Sequence, residues 1–107
     1  MQDRDAVAAF AALAQPSRLQ IFRALVGAGR EGLTPGALVE RLGVPAATLS
    51  FHLKELARAD LVTQQRRGRH LIYRFSVARM NDLLAYLTAH CCGGNACLDP
   101  QVATCQC

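Results

Sequence analysis

The first 90 residues hold no cysteine, the whole chain has no tryptophan, and neither lysine nor arginine follows Arg79. Each absence narrows the possibilities. With only six aromatic side chains (two Tyr and four Phe), the core has to be built from Leu, Val, Ile and Ala. A cysteine-free body is not a small secreted disulfide scaffold, and a reducing, cytoplasmic setting is expected. Long apolar runs are missing too. The longest, Ala6 to Ala14, is too short to span a bilayer. It imitates the apolar part of a signal peptide, but Asp3 and Asp5 outweigh Arg4 where a basic flank is needed, so a helix is expected. No Gly/Ser- or Pro-rich linker divides the 107 residues, and one domain of ordinary size follows. So short a chain buries a limited share of its surface, and dimerisation would add burial.

What is present is unevenly placed. All five cysteines fall within the last seventeen residues, CCGGNACLDPQVATCQC. Thiolates are the ligands of soft, thiophilic ions, and the vicinal pair Cys91 and Cys92 sets two sulfurs near one centre without long-range folding. A disulfide between neighbours is strained, which keeps both thiols available. The net charge of +4 is modest, yet Lys54 to Arg79 contains seven basic residues against Glu55 and Asp60. A clustered basic stripe is the footprint of a surface that meets phosphates, although a solvated face can look alike. The expected division is residues 1–92 as a folded unit and 93–107 as a cysteine-rich tail.

Periodicity supplies the elements. Asp3 or Asp5 can cap a first helix with Val7, Phe10, Leu13 and Ala14 at helical spacing. Pro16 suits the first position of a second helix, with Leu19, Phe22, Leu25 and Val26 as its buried face until Gly27 to Gly29; Gln15 is a poor cap for it. Thr34-Pro35 starts a short helix carrying Leu38, Val39 and Leu42, closed by Gly43. A fourth helix begins near Pro45 or Ala46 and turns Leu49, Leu53 and Leu56 inward, so two short helices joined by a tight turn follow in order. The period then changes: Leu61 to Arg67, a turn at Gly68 and His70 to Phe75 read as a β-hairpin with an arginine-rich tip. A fifth helix from about Val77 carries Met80, Leu83, Leu84 and Leu87 and is expected to reach His90 to Cys92. The fold class is mainly α with a small hairpin, in the order α-α-α-α-β-β-α.

The segments LAQPSRLQIFRAL, LVERLGVPAATLSFHLKELARADLV and RRGRHLIYRFS resemble those of the ArsR/SmtB winged helix-turn-helix repressors, over roughly residues 6 to 90. The resemblance implies a homodimer joined through its first and last helices. It places two fourth helices in successive major grooves of a palindromic operator, and has a bound metal or metalloid release the DNA. It also implies two departures. Where many members carry Ser, Gln and Ser, this chain has Pro45, Ala46 and Ala47, and the third helix, where many relatives hold their cysteines, has none.

The residues themselves point the same way. If Leu49, Leu53 and Leu56 face inward, Ala47, Thr48, Phe51, Lys54 and Arg58 face outward, with Ser50 and His52 on the shoulders. The first turns of a recognition helix meet base edges, making Ala46, Ala47, Thr48, Ser50 and Phe51 candidate readers, with Lys54 suited to phosphate. His52 can equally serve as a structural hydrogen-bonding group. Few of these can bond to bases, so thymine methyl contacts and DNA shape are expected to carry more of the selectivity. On the wing, Arg66, Arg67, Arg69 and His70 surround Gly68 and can enter a minor groove or meet phosphates.

For the tail, three thiols around trivalent arsenic or antimony need no fourth protein ligand. Cys91, Cys92 and Cys97 are the first candidates, with Cys105 and Cys107 as alternates. His90 with three cysteines would equally satisfy zinc, so a zinc- or cadmium-type sensor stays open. A thiol-redox switch is a third reading, weakened by the lack of nearby cations to lower a thiol pKa. A thiol enzyme such as an arsenate reductase has little support: the segment offers neither an anion cradle nor an arginine, and no catalytic residue is expected.

Overall fold

The computed structural model describes residues 1–94; positions 95–107, among them Cys97, Cys105 and Cys107, lie outside the described residues. The element order is α1 (Asp3–Leu13), α2 (Pro16–Ala28), α3 (Pro35–Leu42), α4 (Ala46–Arg58), β1 (Val62–Arg67), β2 (His70–Phe75) and α5 (Val77–Thr88). Short 3-10 turns occupy Gly29–Glu31 and Cys91–Gly94. This is the expected winged helix-turn-helix: five helices and an antiparallel hairpin.

Local chemistry sets most boundaries. Thr34 accepts from the Ala37 N–H through its hydroxyl, at 3.2 Å, and Ser76 likewise from Arg79, at 3.1 Å. Both are side-chain caps that satisfy a helix's orphan donors. Gly43 closes α3 in the left-handed conformation, and only three residues separate α3 from α4. Of two further caps, the first is an expected residue and the second is not. Asp5 serves α1 by accepting from the Gln2 N–H at 3.0 Å, and Gln15, read as a poor cap, accepts from the Arg18 N–H at 2.8 Å. A glutamine can do this because its longer side chain folds back onto the helix end.

The core gathers Ile21, Phe22 and Leu25 of α2, Leu38 of α3, and Leu49, Leu53 and Leu56 of α4, with Leu61, Val62, Phe75 and Leu83. The inward faces of α3 and α4 are those expected. Two other faces are not. In α1 the buried residues are Ala6 and Ala9, while Val7 is 65% exposed and Phe10 43%. In α2, Ile21 is buried and Leu19 and Val26 point outward. Small alanines let α1 approach α2 and α4 closely, and the larger apolar groups are left on its far side.

The hairpin pairs Val62 with Phe75 at its base and Arg67 with His70 at its tip, leaving Gly68 and Arg69 as a two-residue turn. Gly68 has φ +59°, as the first position of such a tight turn requires. Two contacts fix the base. Phe22 meets Phe75 edge-to-face at 6.2 Å, and Leu33 forms an isolated antiparallel bridge with Tyr73, both hydrogen bonds being 2.9 Å. The wing is thereby tied to the helical body at two points. α5 ends at Thr88, short of the expected Cys92, and His90 adopts a left-handed φ of +57°. The helix stops before His90, at Ala89, whose extended ψ of 131° cannot continue it.

Candidate nucleic-acid interface

α4 has an inner and an outer side. Leu49, Leu53 and Leu56 are buried, whereas Ala46, Ala47, Thr48, Ser50, Phe51 and Lys54 are all exposed. Phe51 is the notable member: it is 55% exposed, and its ring meets that of its neighbour His52 edge-on, with centroids 5.7 Å apart. Pro45 caps α4 without a side-chain bond, and the first intrahelical bond is from Leu49 N–H to the Pro45 carbonyl, 2.9 Å. The N–H groups of the first turn therefore point out of the helix end, where anions are favoured.

His52 does not belong to that outer side. It is 6% exposed, and its Nδ1 lies 3.5 Å from an Arg18 guanidinium nitrogen. Arginine has no acceptor, so Nδ1 accepts and the ring proton sits on Nε2. Arg18 also donates from Nε to the Ala12 carbonyl at 2.7 Å, so one guanidinium joins the end of α1, the start of α2 and the middle of α4. Buried and engaged in this way, His52 ties α4 to the helical body from its inner side.

The cations sort by partner. Arg74 donates to the Arg30 carbonyl at 2.6 Å and to Gln65 at 2.8 Å. Arg79 meets Asp60 at 3.4 Å, and Arg58 meets Glu55 at 3.3 Å. By contrast Lys54, Arg66, Arg67 and Arg69 have no partner among the described residues, and with His70 they are exposed. Charge left unpaired on a protruding hairpin costs nothing in water and is available to phosphates. A cleft of about 400 Å³ separates the two features, with Ser50, Lys54 and Ala57 of α4 on one wall and Thr63, Gln64 and Tyr73 of the hairpin on the other. α4 and the cationic wing thus flank one concavity.

The sequence-nominated thiol site is only partly described. Cys91 is half-buried in the 3-10 turn that follows α5 by two residues, and Cys92 is its neighbour in that turn. Among the described residues no group of three or more His, Cys, Asp or Glu side chains could hold a metal ion. The remaining nominated thiols lie beyond position 94. No helix among the described residues is long and apolar enough to cross a membrane.

Sequence reasoning missed the Arg18–His52 link and the Leu33–Tyr73 bridge, which join residues 34 and 40 positions apart and leave no local pattern.

Comparison with known proteins agrees with this geometry. A helix-turn-helix domain family matches residues 13–65. The chain is 32% identical over 88 residues to the nodulation protein NolR of Rhizobium meliloti, covering 81% of this chain and 70% of that protein. It is 24% identical over 78 residues to the transcriptional repressor SdpR of Bacillus subtilis, covering 73% of this chain and 83% of that one. Among solved structures, an ArsR-like transcriptional regulator from Rhodococcus sp. RHA1 superposes with a TM-score of 0.71 at 30% identity, over 78% of this chain and 76% of the other.

Proposed function

Because this chain belongs to the ArsR family of helix-turn-helix transcriptional regulators, we propose that it is a homodimeric repressor of operator DNA, released when trivalent arsenic or antimony binds its C-terminal thiolates. The observation that carries the DNA half is the cleft shared by the exposed face of α4 and a wing whose Arg66, Arg67 and Arg69 have no partner among the described residues. α4 enters the major groove, the wing reaches an adjacent minor groove or its phosphates, and Lys54 and the first turn of α4 hold the backbone.

Dimerisation is supported by what the terminal helices leave uncovered: Val7 and Phe10 on α1 and Leu87, 55% exposed, on α5. Apolar groups of this size on both helices are the material of an interface. A symmetric pair would then present two α4 helices to a two-fold operator.

The effector half rests on the thiol cluster. Cys91 and Cys92 supply two sulfurs just beyond α5, and Cys97, with Cys105 and Cys107 as alternates, supplies the third. Trivalent arsenic and antimony take three thiolates; zinc would add His90 as a fourth ligand. Binding next to the helix that builds the dimer can alter the spacing of the two α4 helices, and coupling of about 1–3 kcal/mol is the usual scale of such effects.

The test is a fluorescence anisotropy titration of a duplex that the protein enriches from a random pool, with arsenite, antimonite, zinc or cadmium added. Cys91→Ser and Cys92→Ser should bind the duplex as the wild type does and fail to release it with arsenite. Normal release by both variants would remove the thiol assignment. Release by zinc with arsenite inert would replace the effector.

A further inference from the structure

The first two turns of α4 expose Ala46, Ala47, Thr48, Ser50 and Phe51. Guanine is read in the major groove by the forked or paired donors of Arg and Lys, adenine by the amides of Asn and Gln, and cytosine by carboxylates. None of those residue types occurs between Pro45 and Leu53. Two hydroxyls are the only polar reading groups in these turns, and a hydroxyl bonds to donors and acceptors alike. Ala47 and Phe51 stand one helical turn apart on the same side, so a methyl and a phenyl ring form one apolar facet on the outside of the helix. An exposed phenyl that the core does not use is the largest group on this facet.

The base-pair feature that such a facet can recognise is the C5-methyl group, which thymine displays in the major groove and cytosine and uracil lack. We propose that Phe51, backed by Ala47, is the specificity-determining residue, and that it selects operators by the 5-methyl group of a pyrimidine on the groove floor. This inference rests on the operator-binding reading above and names the DNA chemistry that it selects. A consequence follows for modified DNA: 5-methylcytosine carries its methyl at the same ring position, so it substitutes for thymine where ordinary cytosine does not.

The experiment uses the full-length protein and the duplex it enriches from a random pool. Each thymine is replaced in turn by deoxyuridine, which removes the methyl and keeps the base pairing. Burying one methyl corresponds to about a fourfold change in affinity, and to roughly fifteenfold when both half-sites lose it. Deoxyuridine at the position facing α4 should weaken binding by about these factors, and a 5-methylcytosine·guanine pair there should outbind cytosine·guanine. Phe51→Ala, which removes an exposed side chain and leaves the core intact, should bind the thymine and deoxyuridine duplexes equally. A duplex that is enriched but indifferent to deoxyuridine at every position overturns this inference alone, as does sensitivity that persists in Phe51→Ala. A pool from which no duplex is enriched overturns the operator reading and this inference with it.

Discussion

Gly32→Ala should be among the most damaging single-methyl additions to this fold, and its cost can be worked from the structure. Gly32 has φ +67° and ψ −171°, a region open in practice to glycine alone. A Cβ placed there would overlap the Tyr73 carbonyl oxygen and lie 2.8 Å from both the Arg74 Cγ and the Ile72 Cγ2. Neither side can yield freely. The Tyr73 carbonyl accepts from the Leu33 N–H at 2.9 Å, and the Arg74 side chain is held by the Arg30 carbonyl and Gln65. The backbone conformation alone costs about 1–3 kcal/mol, and losing the two Leu33–Tyr73 hydrogen bonds adds about 1 kcal/mol each. Reduced freedom of the unfolded chain returns about 0.4–1 kcal/mol. The net loss is roughly 2–4 kcal/mol, and each of these lowers Tm by about 4–8 °C in a domain of this size. Thermal and urea unfolding at equal protein concentration measure it, since a dimer's Tm depends on concentration. Gly27→Ala is the control: it lies inside α2 with nothing within 4 Å of an added Cβ, and should stabilise by about 0.5–1 kcal/mol. If the two variants shift Tm alike, the account of Gly32 is wrong.

Other consequences are as direct. Arg18→Met removes the donor to Ala12 and leaves the buried His52 Nδ1 without its partner; urea unfolding should show a loss of about 2–4 kcal/mol, and an unchanged midpoint would deny the clamp. Arg66→Ala and Arg69→Ala alter only exposed side chains, so unfolding should be unaffected while the slope of log K against log salt falls by about 2 for each, one phosphate per protomer; a slope equal to the wild type's would take the wing off the DNA. Phe10→Glu or Leu87→Glu, at apolar positions uncovered in the single chain, should give a folded monomer by sedimentation and circular dichroism, whereas an intact dimer from both would move the interface elsewhere.

The elements were legible because each carries a local signature: Thr34-Pro35 and Gly43 bracket α3, and the change from a helical to an alternating pattern after Leu61 marks the wing. Periodicity says that a helix has an apolar side, but not which neighbour covers it. α1 shows the limit. Its Val7 and Phe10 are spaced like core residues, yet the core takes Ala6 and Ala9, because a helix pressed against two others needs small side chains at the contact. The same ambiguity put Leu19 and Val26 inside α2. The end of α5 was misplaced for another reason: the chain leaves the helix at Ala89, with ψ 131°, and an alanine carries no local signal of a helix end.

The site divides along the same line. The outer face of α4 follows from its inner one by subtraction, so Ala46, Ala47, Thr48, Ser50, Phe51 and Lys54 could be named from sequence. His52 could not be assigned, because its position on the helix permits either side, and only Arg18, far away in the chain, decides that it turns in. Counting charges likewise gives seven cations between Lys54 and Arg79, while function depends on which of them the fold consumes. Arg58, Arg74 and Arg79 are engaged by Glu55, by the Arg30 carbonyl with Gln65, and by Asp60. The four without a partner among the described residues are Lys54 on α4 and three arginines at the wing tip, so the unpaired cations lie on the two elements flanking the cleft. A surface so divided asks phosphates to supply the affinity and the apolar tip of α4 to supply the choice of sequence, so substitutions on the wing and at Phe51 should separate the two.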